Sequence, residues 1–346
     1  MATESGTVTG SAALETPNRR IDPIELLGRF APVIFLVVLS AIFAFQQPAF
    51  ASETNFWFLL RQNFVYGILA VGMTFVILTG GIDLSVGSVV AFAGMVGAAV
   101  AKGSSWRDVG NPDPGGSAVL LAVLAAVAVG AGAGLIHGFC IAKLRVPAFV
   151  VTLGGLSAWR GATQVMSQGT PINRFSDDYR FWGSGWVLND RVPVPVVIFA
   201  AFVIVGFLVL RFTTYGRSIY AVGGNPEAAR LSGLNTTWLI MSVYVISGFC
   251  AGLCGFLLTS RLGAAEVVAG QGYELIVIAA VVIGGTSLFG GEGSILGTLV
   301  GTLLIGVLYS GLAINNVNPY YQPIIIGVIV VFSVFLDQLA KSRRRA

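Results

Sequence analysis

Residues Gly216–Gly233 read GRSIYAVGGNPEAARLSG, a polar island in a chain that is otherwise mostly hydrocarbon. The runs on either side, Val194–Leu210 and Trp238–Leu258, are too apolar for a soluble domain. Within the island, Gly223-Gly224-Asn225 reads as a turn, because glycine and asparagine tolerate positive φ. Pro226 suits the first turn of a helix, where its missing N–H costs nothing, with Asn225 as the N-cap. Glu227 places a carboxylate at the helix N-terminus, where the dipole favours it. Gly233 is positioned to end the helix after about two turns. The expectation is a short, rigid, amphipathic helix carrying Ala228, Ala229 and Arg230, held between two membrane spans. Such an element is suited to being pushed by a partner protein.

Composition points the same way. Of 346 residues, 55% are hydrophobic and 10% charged, and the mean hydropathy is +0.83; soluble chains carry about 25% charged residues. Several windows reach the roughly 20 apolar residues that span a bilayer. The 45 glycines are about twice the usual share, which in a membrane lets helix backbones approach closely. These features define an all-α polytopic membrane protein and exclude an ordinary water-soluble one. The net charge of +4 is no nucleic-acid signal, because the basic residues lie in short loops and at the ends rather than in patches with aromatics. Cys140, Cys250 and Cys254 fall inside apolar runs. Cys250 and Cys254 share a helical face, which suits packing better than a disulfide or a metal site.

Ten spans are expected, at about Phe30–Phe45, Phe64–Thr79, Leu84–Ala101, Ala118–Ile141, Pro147–Ser167, Pro193–Leu210, Thr237–Thr259, Gly272–Gly284, Ile295–Leu312 and Tyr320–Leu336. They make a permease domain over residues 29–338, between a polar, disordered tail (1–28) and a basic tail (339–346). Ala49-Phe50-Ala51 mimics a signal-peptidase site, but the preceding tail is long for a signal peptide, so the first span reads as uncleaved. Loop 168–192 carries Tyr179, Trp182 and Trp186, an aromatic set typical of a membrane surface. With the N-terminus in the cytoplasm, the inside segments hold Arg19, Arg20, Arg29, Lys143, Arg145, Arg211, Arg217, Arg230, Lys341 and Arg343–Arg345, which is twelve of the 20 Lys and Arg residues. The positive-inside rule therefore puts both termini and the Gly216–Gly233 loop in the cytoplasm. An internal echo also appears: Gly80-Gly81-Ile82-Asp83-Leu84-Ser85 recurs as Gly284-Gly285-Thr286-Ser287-Leu288, which reads as a parallel repeat.

No lysine follows a glycine, so the phosphate-binding G-x-x-x-x-G-K-[ST] loop is absent and energy must come from a partner or an ion gradient. Ion coupling would call for embedded carboxylates or histidines. Asp83 and Glu292 fall in hairpin tips, Asp337 at a span end, and Glu274 near the outer end of the eighth span. His137, the one histidine, reads as a hydrogen-bonded packing residue. Arg160 lies about 20 Å along the fifth span. With Gln164 at i+4 and Gln168 at i+8 it makes one polar face, which either lines a sugar path or lets the arginine reach the outer surface. Asp83 is read as a helix cap, or else as a contact or gate at the inner mouth.

Glu227-Ala228-Ala229, three further residues and Gly233 resemble the EAA-xxx-G loop of bacterial ABC importer permeases. Four segments are similar to the monosaccharide (ribose-type) branch of that group: Ala70–Ser88, Val146–Gly154, Gly216–Gly233 and Glu274–Gly297. The resemblance implies a second permease chain, most simply a homodimer, in the inner (plasma) membrane and in contact with its lipid. It also implies a cytoplasmic ATPase holding ATP and Mg, with no cofactor in this chain, and a periplasmic sugar-binding protein. The Gly223–Gly233 segment would be the ATPase contact, although no I-x-L-P element follows Gly233 as it does in the wider group. Two rivals stay open: a permease for branched-chain amino acids and an ion-coupled carrier working alone.

Overall fold

The computed structural model describes residues 23–103, 116–325, 327, 328 and 331. Twelve helices are named here in chain order: α1 (Pro23–Gln46), α2 (Glu53–Leu78), α3 (Val86–Lys102), α4 (Ser117–Ala142), α5 (Ala148–Ser167), α6 (Asp177–Ser184), α7 (Val194–Phe212), α8 (Thr214–Gly224), α9 (Pro226–Leu231), α10 (Thr236–Leu262), α11 (Tyr273–Ile283) and α12 (Ile295–Ile314). Among the described residues, five helices are both long and apolar enough to cross a bilayer: Glu53–Leu78, Ala118–Ala142, Val194–Phe212, Thr236–Leu262 and Ile295–Ile314. Ala31–Gln46, Val86–Lys102 and Tyr273–Ile283 are apolar but shorter. About half of the expected tenth span lies outside the described residues, and Arg19, Arg20 and the basic tail 339–346 lie wholly outside them.

α10 is the central post, packed against α2, α3 and α4. Its glycines make that possible. A methyl group on Gly248 would overlap the Gly130 carbonyl of α4, one on Gly134 the Tyr244 carbonyl, and one on Gly252 the Ala126 carbonyl. With no water to drive helices together, close backbone approach of this kind supplies the packing energy. Cys250 and Cys254 are buried on the same post as free thiols, in keeping with a packing role. The apolar residues that remain exposed lie outward: Leu120, Leu124 and Phe139 on α4, and Val197, Ile204 and Leu208 on α7. A hydrocarbon surround satisfies such faces as water could not.

Two antiparallel ribbons close the end of the bundle opposite α9. β1 (Ile172–Asn173) pairs with β4 (Ala264–Ala265), and β2 (Trp186–Val187) with β3 (Val192–Pro193). Lys102 Nζ donates to the Asn173 carbonyl at 3.0 Å, tying α3 to β1. Tyr179, expected among surface aromatics, is instead fully buried, stacked on Phe175 and edge-on to Phe256. α6 is amphipathic, and that tyrosine is on its inward face.

Glu274 is placed by a short helix. α11 has only 11 residues, about 16 Å, roughly half the ~30 Å hydrocarbon thickness. The segment before it, 264–272, leaves β4 through consecutive turns and reaches the start of α3 at Gly270. At its tip, Gly270 lies so close that a methyl group there would overlap the Gly87 carbonyl, while one on Gly87 would lie 2.6 Å from Glu274 Oε2. Gly87 is near the start of α3, and α3 runs beside α5, with Phe92 stacked on Trp159 at 5.4 Å. The tip is therefore about 15 Å below the outer end of α5, near mid-span. Glu274 sits there, in the first turn of the short helix expected over Gly272–Gly284.

Replacing Gly248 by alanine forces α4 and α10 apart and is expected to cost about 1–3 kcal/mol through overpacking. A detergent melt of the purified protein should fall by several degrees, and an unchanged melt would contradict this packing.

Candidate functional site

α9 begins where the sequence places it. Asn225 Oδ1 accepts from the backbone N–H groups of Glu227 and Ala228 at 3.1 and 3.0 Å, and Pro226 occupies the first turn. The helix ends at Leu231, short of two full turns, and Gly233 turns the chain at φ +88°. Ala229 packs into a small core with Val222 and Leu239, fixing α9 to α8 and α10. Its outer face shows Glu227, Ala228, Arg230 and Leu231. Arg230 donates to Glu227 Oε1 at 2.7 Å, and this hydrogen bond holds the guanidinium above its ordinary pKa. Leu231, which the sequence reading passed over, is 77% exposed. An apolar side chain and a charged pair thus stand side by side on the exposed face of α9.

Gly223 and Gly224 are not a turn. They complete α8, and the break comes at Asn225, in extended conformation. Gly223 is required for proximity: a methyl group there would overlap the Leu78 carbonyl at the end of α2. That same carbonyl accepts from the Gly291 N–H at 2.9 Å. Nearby, the half-buried Tyr220 hydroxyl, whose pKa burial raises, donates to the Gly293 carbonyl at 2.9 Å. The α8 end thus meets the glycine hairpin 284–294 and the end of α2 that leads into hairpin 79–85. The two hairpins touch at Gly80 and Gly290, and α2 and α12 beside them are joined through the Thr74 and Thr298 hydroxyls at 2.7 Å.

The first hairpin leads inward to a buried polar chain. Asp83 is 2% exposed, which rules out a surface contact. α3 begins at Val86 with Ser85 before it, so Asp83 acts one step outside a simple cap. Its Oδ1 accepts from the Ser85 N–H at 3.0 Å and the Ser85 hydroxyl at 2.6 Å, and its Oδ2 from the Ser247 hydroxyl of α10 at 2.8 Å. Ser85 Oγ lies 3.2 Å from His137 Nδ1 on α4, and the Trp159 indole N–H of α5 donates to His137 Nε2 at 3.1 Å. Indole nitrogen only donates, so Nε2 must accept and the neutral ring carries its proton on Nδ1. His137 is therefore a fully bonded packing residue, as expected.

Arg160, the next residue along α5, is half-buried. Its Nη1 donates to the carbonyls of Val267 and Ala269 at 2.8 and 2.9 Å, pinning the re-entrant segment. Gln164 is exposed on the same helix. Gln168 has left it, as the left-handed C-cap at φ +51°, so the polar face is shorter than spacing alone suggests. The structure brings Arg160 and Glu274 to one region and leaves Asp83 in another. Among the described residues no cluster of His, Cys, Asp and Glu could hold a metal ion.

An apolar helical bundle with one half-length helix, two glycine hairpins and a short exposed helix at one end is the build of a polytopic membrane protein. The family model described as "Branched-chain amino acid transport system / permease component" matches residues 55–334. The chain belongs to that permease family. It is 42% identical over 311 residues to the ribose import permease protein RbsC of Escherichia coli (strain K12), covering 88% of this chain and 92% of the relative. It is 38% identical over 327 residues to the RbsC of Bacillus subtilis (strain 168), covering 94% and 97%. The D-allose transport system permease protein AlsC of E. coli (strain K12) is 37% identical over 316 residues, covering 90% and 92%. No solved structure matches.

Arg160→Gln removes two charge-assisted hydrogen bonds, each about 1.5–3 kcal/mol, and should loosen segment 264–272. A cysteine at Val268 is expected to react with a thiol reagent several-fold faster in that background. Equal rates would mean that Arg160 does not hold the segment.

Proposed function

We propose that this chain is the membrane-spanning permease subunit of an ATP-driven importer that carries a monosaccharide or polyol into the cytoplasm. Ten spans, both termini inside and an inner-membrane location fit the distribution of basic residues. The partners are a cytoplasmic ATPase bearing ATP and Mg, a periplasmic sugar-binding protein and a second copy of this chain. The observation that carries the reading is the α8–α9 segment, an exposed helix jointed through Gly223 to hairpin 284–294 and to the end of α2 that leads into hairpin 79–85. The sugar named in each relative supports the substrate class. Ribose is a pentose and allose a hexose, so the shared scaffold accepts polyhydroxylated rings of more than one size.

The path is assigned to the side that carries Arg160, Gln164 and Glu274, with Gln168 at the C-cap beside it. Val268 and Leu275, flanking the re-entrant tip, are 64% and 63% exposed. Irregular backbone at membrane depth is tolerated against protein or water, not against lipid. A second copy facing this surface across a wet path meets that requirement. Closing the ATPase would push α9, and the hairpins beside Gly223 would move with it. No bond in the sugar is made or broken.

Glu227→Ala and Gly233→Val variants should insert normally, yet lose about tenfold or more in ATP-dependent sugar uptake by the reconstituted complex. Normal uptake by both would remove this role from the segment. The family description favours a second reading, in which branched-chain amino acids are the cargo. Leucine uptake exceeding that of ribose in the same vesicles would establish it. Uptake driven by an ion gradient, with no ATPase present, would establish the lone carrier instead.

A further inference from the structure

The polar chain around His137 joins three separate pieces of the fold, and transport as read above gives it no task. At one end Asp83 and Ser85 belong to the hairpin that follows Leu78. The Leu78 carbonyl lies against Gly223, and Gly80 lies against Gly290. At the other end Trp159 belongs to α5, one residue from the Arg160 that pins the re-entrant segment. His137 stands between them on α4, 3% exposed. The donors run one way: Trp159 to His137, His137 to Ser85, Ser85 to Asp83. Each intermediate group spends one donor and one acceptor, so the chain cannot lose a member without stranding a buried partner. The hairpin is further tied by the Tyr244 hydroxyl, which donates to the Ile82 carbonyl at 3.2 Å. On the α5 side, Gly155 admits the imidazole, since a methyl group there would overlap His137 Nε2.

We propose that His137 is a positioning residue for transport: through Ser85 and Trp159 it makes the Asp83 hairpin and α5 move as one body. Displacement at Gly223 is thereby delivered to the Arg160 face. This inference rests on the importer reading for its consequence, but its geometry does not. The ring is neutral, carries its proton on Nδ1 and cannot rotate while Trp159 donates to Nε2. Apolar packing alone would hold the same helices, but would not fix which ring atom faces which helix.

Because the chain has one histidine, imidazole nitrogen labelling gives a single residue's signals. The expected spectrum at neutral pH in lipid is the Nδ1–H tautomer, shifting in the Trp159→Phe variant, which retains the ring stacked on Phe92. An Nε2–H tautomer, an imidazolium, or no response to Trp159→Phe would overturn the geometry.

The functional arm uses the reconstituted complex and counts sugar delivered per ATP hydrolysed. Trp159→Phe and His137→Leu are each expected to lower that ratio about tenfold while the ATPase still turns over. His137→Gln, which keeps one acceptor and one donor, should recover most of it. The double variant Trp159→Phe/His137→Leu should be no worse than either single one, since both cut one chain. A ratio within twofold of wild type in both single variants overturns the proposal. So does a proportional loss of ATPase and transport, the mark of a merely structural role. If the wild-type complex itself shows no ATP-dependent uptake, the importer reading fails instead, and the labelling result stands apart from that.

Discussion

Hydrocarbon offers no hydrogen bonds, so every backbone N–H and C=O within a membrane must find its partner inside the protein. This chain nonetheless breaks its helices at membrane depth. Segment 264–272 passes from β4 into a run of turns, and hairpin 79–85 folds back before α3 begins. Both breaks are held by specific donors: Arg160 on the carbonyls of Val267 and Ala269, Tyr244 on the carbonyl of Ile82, and Gly291 on that of Leu78. The glycine content follows from the same constraint. Wherever a broken segment meets a helix, as at Gly87 and Gly270 or at Gly223 and Leu78, a side chain would take the place of the contact.

A continuous set of joints results, from the exposed α9 to the middle of the bundle. α9 is fixed to α8 by Ala229 and Val222, α8 to the end of α2 and to hairpin 284–294 by Gly223 and Tyr220, and the first hairpin to α4, α5 and α10 by the polar chain from Asp83. These contacts are short, buried and directional. They suit rigid-body transmission, since packed elements shift between discrete arrangements and do not deform continuously. The exposed pair Glu227–Arg230 adds little stability of its own; its place on the face proposed for docking explains it better.

Much of this was legible in the sequence. Hydropathy places the helices from α3 to α12 that it reads as spans within about three residues of their ends, and Asn225 and Pro226 mark the start of α9, because both signals are local. α1 and α2 begin 7 and 11 residues before the expected Phe30 and Phe64, where polar residues mask the helix. The errors came where tertiary contact sets the role. Gly223 and Gly224 look like a turn but serve as helix with a bare face, and Tyr179 looks like an interfacial aromatic but fills the core. Glu274 does fall in the first turn of the short helix expected over Gly272–Gly284, but an apolar run does not reveal that the turns before it fold back against Gly87. Arg160 was singled out for the cost of burying its charge, but its carbonyl partners lie more than a hundred residues away. Nothing in the pattern joins His137 to Asp83 and Trp159, since hydrogen-bond partners on separate helices leave no periodic trace.

The central claim is that α9 is a handle worked from the cytoplasm by another polypeptide. A single cysteine at Leu231, in a background lacking Cys140, Cys250 and Cys254, tests it with a membrane-impermeant thiol reagent. The account predicts labelling in inverted vesicles only, and protection there when the ATPase is bound. Labelling of intact right-side-out vesicles, or no protection by the ATPase, would contradict it.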